Sequence, residues 1–145
     1  MPIAVIDASV IGRWLLPSEE RSPGAEILRD DFLAGRITLV APRVLRDETT
    51  SMIWNAVRDG RLSPDEASKV LRRSKALDIV CVSATHADLA TLSLANDLRH
   101  SPYDCSYLWV ALALGCNLYT ADKRFVHVAQ REYPCVRDID EYSLR

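Results

Sequence analysis

Four carboxylates are placed where they could do chemistry together. Asp7 closes the apolar run Ile3-Ala-Val-Ile6, and Asp122 follows Asn117-Leu-Tyr-Thr120. Asp104 falls in the first turn of a helix that Ser101 would cap and Pro102 would open. Singly, each Asp reads as a helix cap or a partner of the helix dipole. Glu48 is harder to explain that way. At about 100° per residue it sits beside the apolar stripe of Leu45, Thr49, Met52, Ile53 and Ala56, whereas Asp47 turns to the wet side. A carboxylate at the edge of a core needs a cation or several donors. Arg43 and Arg46 lie on the far side of the helix. Four converging acids without matching bases would repel one another, and a divalent cation resolves this. Hard oxygen ligands suit Mg²⁺ or Mn²⁺, which can activate water and stabilise in-line phosphoryl displacement. Catalytic and metal-ligating roles are therefore expected for Asp7, Glu48, Asp104 and Asp122. Ser9 and Thr120 are expected to orient the carboxylates, and Lys123 and Arg124 to meet substrate phosphate. The convergence rests on the fold the chain must adopt.

That fold can be read from the alternation of elements. Strands are expected at residues 3–6, 38–41, 79–82 and 117–120, with a last short one around Cys135-Val136. Helices are expected between them: 8–16, 24–34, 42–59, 64–77, 84–99, about 102–114, and a last one ending near Arg131. Ser63-Pro-Asp-Glu66 is a capping box with Pro at the first helical position. The run from Tyr107 to Leu114 is almost wholly apolar, which predicts a helix buried nearly all round. Strands alternating with helices from end to end predict an α/β fold of three layers, α/β/α, with a central, mainly parallel sheet in one domain over 1–145. Right-handed crossovers then set the strand C-termini along one edge, where such folds bind ligands.

Bulk properties narrow the function. Of 145 residues, 48% are hydrophobic and 26% charged, an ordinary balance for a globular chain. The net charge of −2 excludes a strongly basic nucleic-acid footprint, so any such binding must use local patches and metal ions. Cys81, Cys105, Cys116 and Cys135 lack CxxC pairing and read as free thiols in a reducing, cytoplasmic compartment. His86, His100 and His127 have no ligand-like spacing to those cysteines, which argues against zinc. The N-terminal stretch does not read as a signal peptide, and no apolar run is long enough to cross a bilayer. Trp14, Trp54 and Trp109 could stack on bases; Trp109 is expected in the core, and Trp54 on a polar helix face as an interface anchor.

Taken in order, Asp7-Ala-Ser9 after a strand, the Pro42…Glu48 helix, the Tyr103-Asp104 helix opening and Thr120-Ala-Asp122-Lys-Arg124 resemble a PIN domain. They are similar in particular to VapC-type toxins of toxin–antitoxin systems, over essentially the whole chain. The resemblance implies a metal-dependent ribonuclease with RNA as substrate, its acidic cluster at Asp7, Glu48, Asp104 and Asp122, and Asp7 with Asp104 as the core metal pair. It also implies a cognate antitoxin and homodimerisation. Ser51 stands where family members often carry Asn, and Cys105-Ser106-Tyr107 where Ala-Leu-Tyr is common. A haloacid-dehalogenase-type phosphatase is excluded because Ser9 replaces its second Asp. A response-regulator receiver is excluded because its second-strand Asp is missing. The competing class is a non-catalytic PIN-fold module that binds RNA or a protein.

Overall fold

A computed structural model of the chain describes residues 1–17, 20–83 and 87–143. Among these residues five parallel strands form one sheet in the order β3-β2-β1-β4-β5. The strands are β1 (Ile3–Ile6), β2 (Thr38–Pro42), β3 (Val80–Val82), β4 (Asn117–Thr120) and β5 (Val136–Asp138). The helices are α1 (Ala8–Leu15), α2 (Pro23–Leu33), α3 (Val44–Arg58), α4 (Pro64–Ala76), α5 (Asp88–Leu98), α6 (Pro102–Leu114) and α7 (Lys123–Ala129), with a 3₁₀ turn at Ile139–Glu141. This is the expected three-layer α/β/α architecture. Helices α1 to α4 pack on one another, while α5 packs on α6, which crosses β1, β2 and β4.

Strand order decides where a site can form. Successive strands run outward from β1 to β3, and the chain then returns to lay β4 against the other side of β1. Neighbouring connections therefore leave in opposite directions at β1 and β4, opening a crevice at their C-terminal ends. Both strands are buried, as their apolar runs require: Val5, Ile6 and Leu118 are fully enclosed. The register Ile6↔Tyr119 brings Asp7 beside Thr120, although 113 residues separate them.

Several expectations are corrected. Pro42 ends β2 opposite Val82 and does not open a helix; α3 begins at Val44. Pro lacks an N–H, yet its carbonyl side can still pair. Helix α6 is buried at Cys105, Tyr107, Leu108, Val110 and Ala111, but Leu112 and Leu114, near its C-terminal end, are exposed. Trp109 is half-buried. Cys135 precedes β5, which starts at Val136. The expected helix start at Ala84 lies outside the described residues, as does His86. The capping box at Ser63 and Glu66 is present, and all four cysteines are free. No helix among the described residues is long and apolar enough to cross a membrane. Gly24 packs flat on the 3₁₀ turn: a Cβ there would lie 2.1 Å from the Ile139 carbonyl oxygen.

Candidate active site

Asp7 ends β1 and caps α1, its Oδ1 accepting from the Ser9 amide at 3.1 Å. The Ser9 hydroxyl donates to the same oxygen, and the Thr120 hydroxyl donates to Oδ2 at 2.5 Å. Those hydroxyls are themselves held: the Ala121 amide donates to Ser9 Oγ at 2.9 Å, and the Asp122 amide donates to Thr120 Oγ1 at 3.0 Å. With their acceptor sides engaged by amides, both hydroxyl protons are directed at Asp7. Ser9 and Thr120 thus hold both oxygens of this carboxylate.

Asp122 ends the turn after β4 and caps α7. Its Oδ1 accepts from the Arg124 and Phe125 amides at 3.0 and 3.1 Å. The bland reading therefore holds for Asp7 and Asp122, and both still face the crevice. Asp104 is no cap: Ser101 Oγ takes that role for α6 by accepting from the Tyr103 amide. Its Oδ2 instead lies 2.6 Å from His100 Nε2, and the imidazole stacks on Phe125 with centroids 4.8 Å apart.

The four acids line one cleft of about 420 Å³, with Ser51, Asn55 and Arg61 on its α3 side. A neighbouring hollow of about 580 Å³ shares Asp104 and Asp122 and adds Arg99, His100 and Arg124. The carboxylates feel one another. Burial and then the charges of Asp104 and Glu48 push Asp7 up to about 6, against the opposing hydrogen bonds from Ser9 and Thr120. Burial raises Glu48, with Asp104 adding to the rise and the nearby Tyr107 hydroxyl opposing it. That hydroxyl falls short of hydrogen-bond geometry, so Glu48 Oε1 and Tyr107 OH are both buried without a partner among the described residues. Burial also raises Asp104, with Asp122 adding and His100 opposing.

These observations test whether a cation fits. A buried oxygen with no donor costs free energy, as do ionised carboxylates held together against their mutual repulsion. Arg61 is the only Lys or Arg lining the acid-rich cleft among the described residues. A divalent ion would satisfy Glu48 Oε1 and offset the repulsion, so the residues present fit one.

The outer residues divide. Arg124 lines the second hollow, whereas Lys123 is exposed and lies 3.7 Å from Asp138. Trp14 donates from its indole to the Ala25 carbonyl and stacks on Phe32, which gives it a structural place. Trp54 is 57% exposed under the Arg58 guanidinium. Sequence reasoning missed His100, whose ligand atom lies within 4.8 Å of those of Asp104 and Asp122. The signal in the sequence is its i,i+4 spacing to Asp104. Arg61 was missed as well, since it follows the helix end at Gly60, and Asn55 lies two turns beyond Glu48.

The PIN domain family model matches residues 4–131, and the chain belongs to that family. PIN domains are typically metal-dependent nucleases, which places the chain with the hydrolases. Its fold is similar to the crystal structure of PAE2754 from Pyrobaculum aerophilum: TM-score 0.66 at 18% identity, covering 96% of this chain and 92% of that one. No curated protein matches it significantly.

Proposed function

We propose that the chain is an Mg²⁺- or Mn²⁺-dependent endoribonuclease acting as the toxin of a toxin–antitoxin pair in the cytoplasm. The observation that carries the nuclease part is the meeting of Asp7, Glu48, Asp104 and Asp122 in one cleft with a buried, unpartnered oxygen on Glu48. The ordered motifs that resemble VapC-type toxins support the toxin part. Asp7 and Asp104 would hold the ion, assisted by Glu48 and Asp122. Bound there, it would supply Lewis-acid activation of water and charge neutralisation at the scissile phosphate.

The chain's own residues do the positioning. Ser9 and Thr120 lock both oxygens of Asp7, and His100 holds Oδ2 of Asp104. The α7 amides take one oxygen of Asp122, leaving the other for the cleft. A site whose ligands are already oriented loses little freedom when it is loaded. Homodimerisation is supported by the exposed Leu89 and Leu92 on α5 and Leu112 and Leu114 on α6. Trp54 offers an anchor for an antitoxin.

The test is cleavage of RNA with Mg²⁺ or Mn²⁺, with and without EDTA, by the wild-type chain and by Asp7→Asn and Asp104→Asn. Cutting that needs the metal and both carboxylates is expected. Cutting that survives EDTA or either substitution would overturn the nuclease reading, and RNA binding without cutting would favour the binding module. Expression that halts growth only with Asp7 intact, relieved by a co-expressed antitoxin, is expected of the toxin.

A further inference from the structure

Two arginines beside the acids have no part in the proposal above. Arg99 is the one non-glycine residue with positive φ among those described, at 50°, and it ends α5 in the left-handed region. The other positive-φ positions, after α2, α3 and α6, are Gly35, Gly60 and Gly115. A side chain there carries a steric cost that glycine avoids. Arg99 nevertheless occupies it, and it lines the hollow that shares Asp104 and Asp122 with the acid-rich cleft. Arg61 lines that cleft from the loop after α3. The two hollows share Asp104 and Asp122 and so form one groove, with Arg61 lining one part and Arg99 the other.

We infer that this groove takes a single strand of RNA lengthwise, with the scissile phosphate over the acids and flanking phosphates on Arg61 and Arg99. This rests on the nuclease reading above. Four carboxylates repel every phosphate except one held through a cation, so neighbouring phosphates need cations of their own. Guanidinium groups suit that task because their planar fork meets two phosphate oxygens at once. Between acids and Arg61, α3 presents Glu48, Ser51 and Asn55, spaced three and four residues apart on one face. The Ser51 hydroxyl and Asn55 amide are short neutral groups that can meet sugar and phosphate oxygens along the way. Arg124, on the second hollow, adds charge at the Arg99 end.

The position of Arg99 supplies a clean variant. Arg99→Gly puts the favoured residue at a left-handed helix end, so fold stability is expected to hold or rise while the cation is lost. Arg61→Gln alters a side chain 44% exposed, whose nearest ionic partner, Asp59, is 3.7 Å away. Binding of a short fluorescein-labelled single-stranded oligoribonucleotide would be measured with Ca²⁺ replacing Mg²⁺, across 50 to 200 mM KCl. Mn²⁺ titration and thermal unfolding would run in parallel. Each variant should bind roughly ten-fold more weakly, with the slope of log K against log salt reduced by about 0.7. The effects should multiply in the double variant, and Mn²⁺ affinity should be unchanged. Wild-type RNA affinity in either variant, weakening with an unchanged salt slope, or equal binding of duplex RNA would overturn the path. If the wild-type chain also cleaves RNA with Mn²⁺, those results leave the nuclease reading standing. A wild-type chain that neither binds Mn²⁺ nor cleaves RNA overturns both.

Discussion

Replacing Asp7 with asparagine should stabilise the metal-free protein at neutral pH. Asp7 is 7% exposed, and its carboxyl is raised from 3.8 to about 6. At 1.36 kcal/mol per pKa unit, holding this group ionised costs the folded state about 3 kcal/mol. The folded pKa is the higher one. The stabilising contribution of this one group is therefore fully present below pH 3.8 and lost as pH rises through about 6. Between pH 7 and pH 5 the metal-free wild type should gain about 1 kcal/mol from this group. Asparagine removes the charge but gives up one charge-assisted hydrogen bond, worth about 1–2 kcal/mol, so a net gain of about 1–2 kcal/mol remains. With an unfolding entropy of about 0.3 kcal/mol/K for a domain of this length, that is a rise of roughly 3–7 °C in Tm at pH 7.5 in EDTA. Glu48 and Asp104 are also raised, so the variant keeps part of the acid-side gain. Scanning calorimetry in EDTA at pH 5 and 7.5, repeated with Mn²⁺, measures all of this. Mn²⁺ should stabilise the wild type and have much less effect on Asp7→Asn. A variant less stable than wild type at pH 7.5 in EDTA, or a wild type that gains nothing on acidification, would refute the account of the acid cluster.

Two further outcomes are expected. His100→Ala, by freeing Asp104 to rotate, should weaken Mn²⁺ binding by roughly ten- to a hundred-fold, read by titration calorimetry, with the far-UV spectrum unchanged. Gly24→Ala should destabilise by about 2 kcal/mol or more, because its methyl group would meet backbone and not a movable side chain; chemical denaturation reads this as a lower midpoint.

Much of the architecture was legible because it depends on neighbours in sequence. Apolar runs ending in Asp, glycines at helix ends and the Ser63 capping box each act within a few residues, and each is where local chemistry places it. The phase of α3 was legible for the same reason: Glu48 at the edge of the stripe and Asp47 in water follow from helix geometry alone. The burial of α6 was misread because its apolar composition does not say which of its residues meet the rest of the core.

By itself the sequence determined which residues are acidic, which elements carry them and on which side of each element they lie. Only the tertiary structure decided that the Thr120 hydroxyl closes on Asp7 opposite Ser9, because that depends on β1 pairing with β4 and not on any local preference. It likewise decided that His100 and Asp104 lie beside Asp122, and that Arg61 and Arg99 line two hollows that share Asp104 and Asp122. The physical reason is common to all of these. Local sequence sets a side chain's direction relative to its own element, whereas the distance between two elements is set by the packing of everything between them.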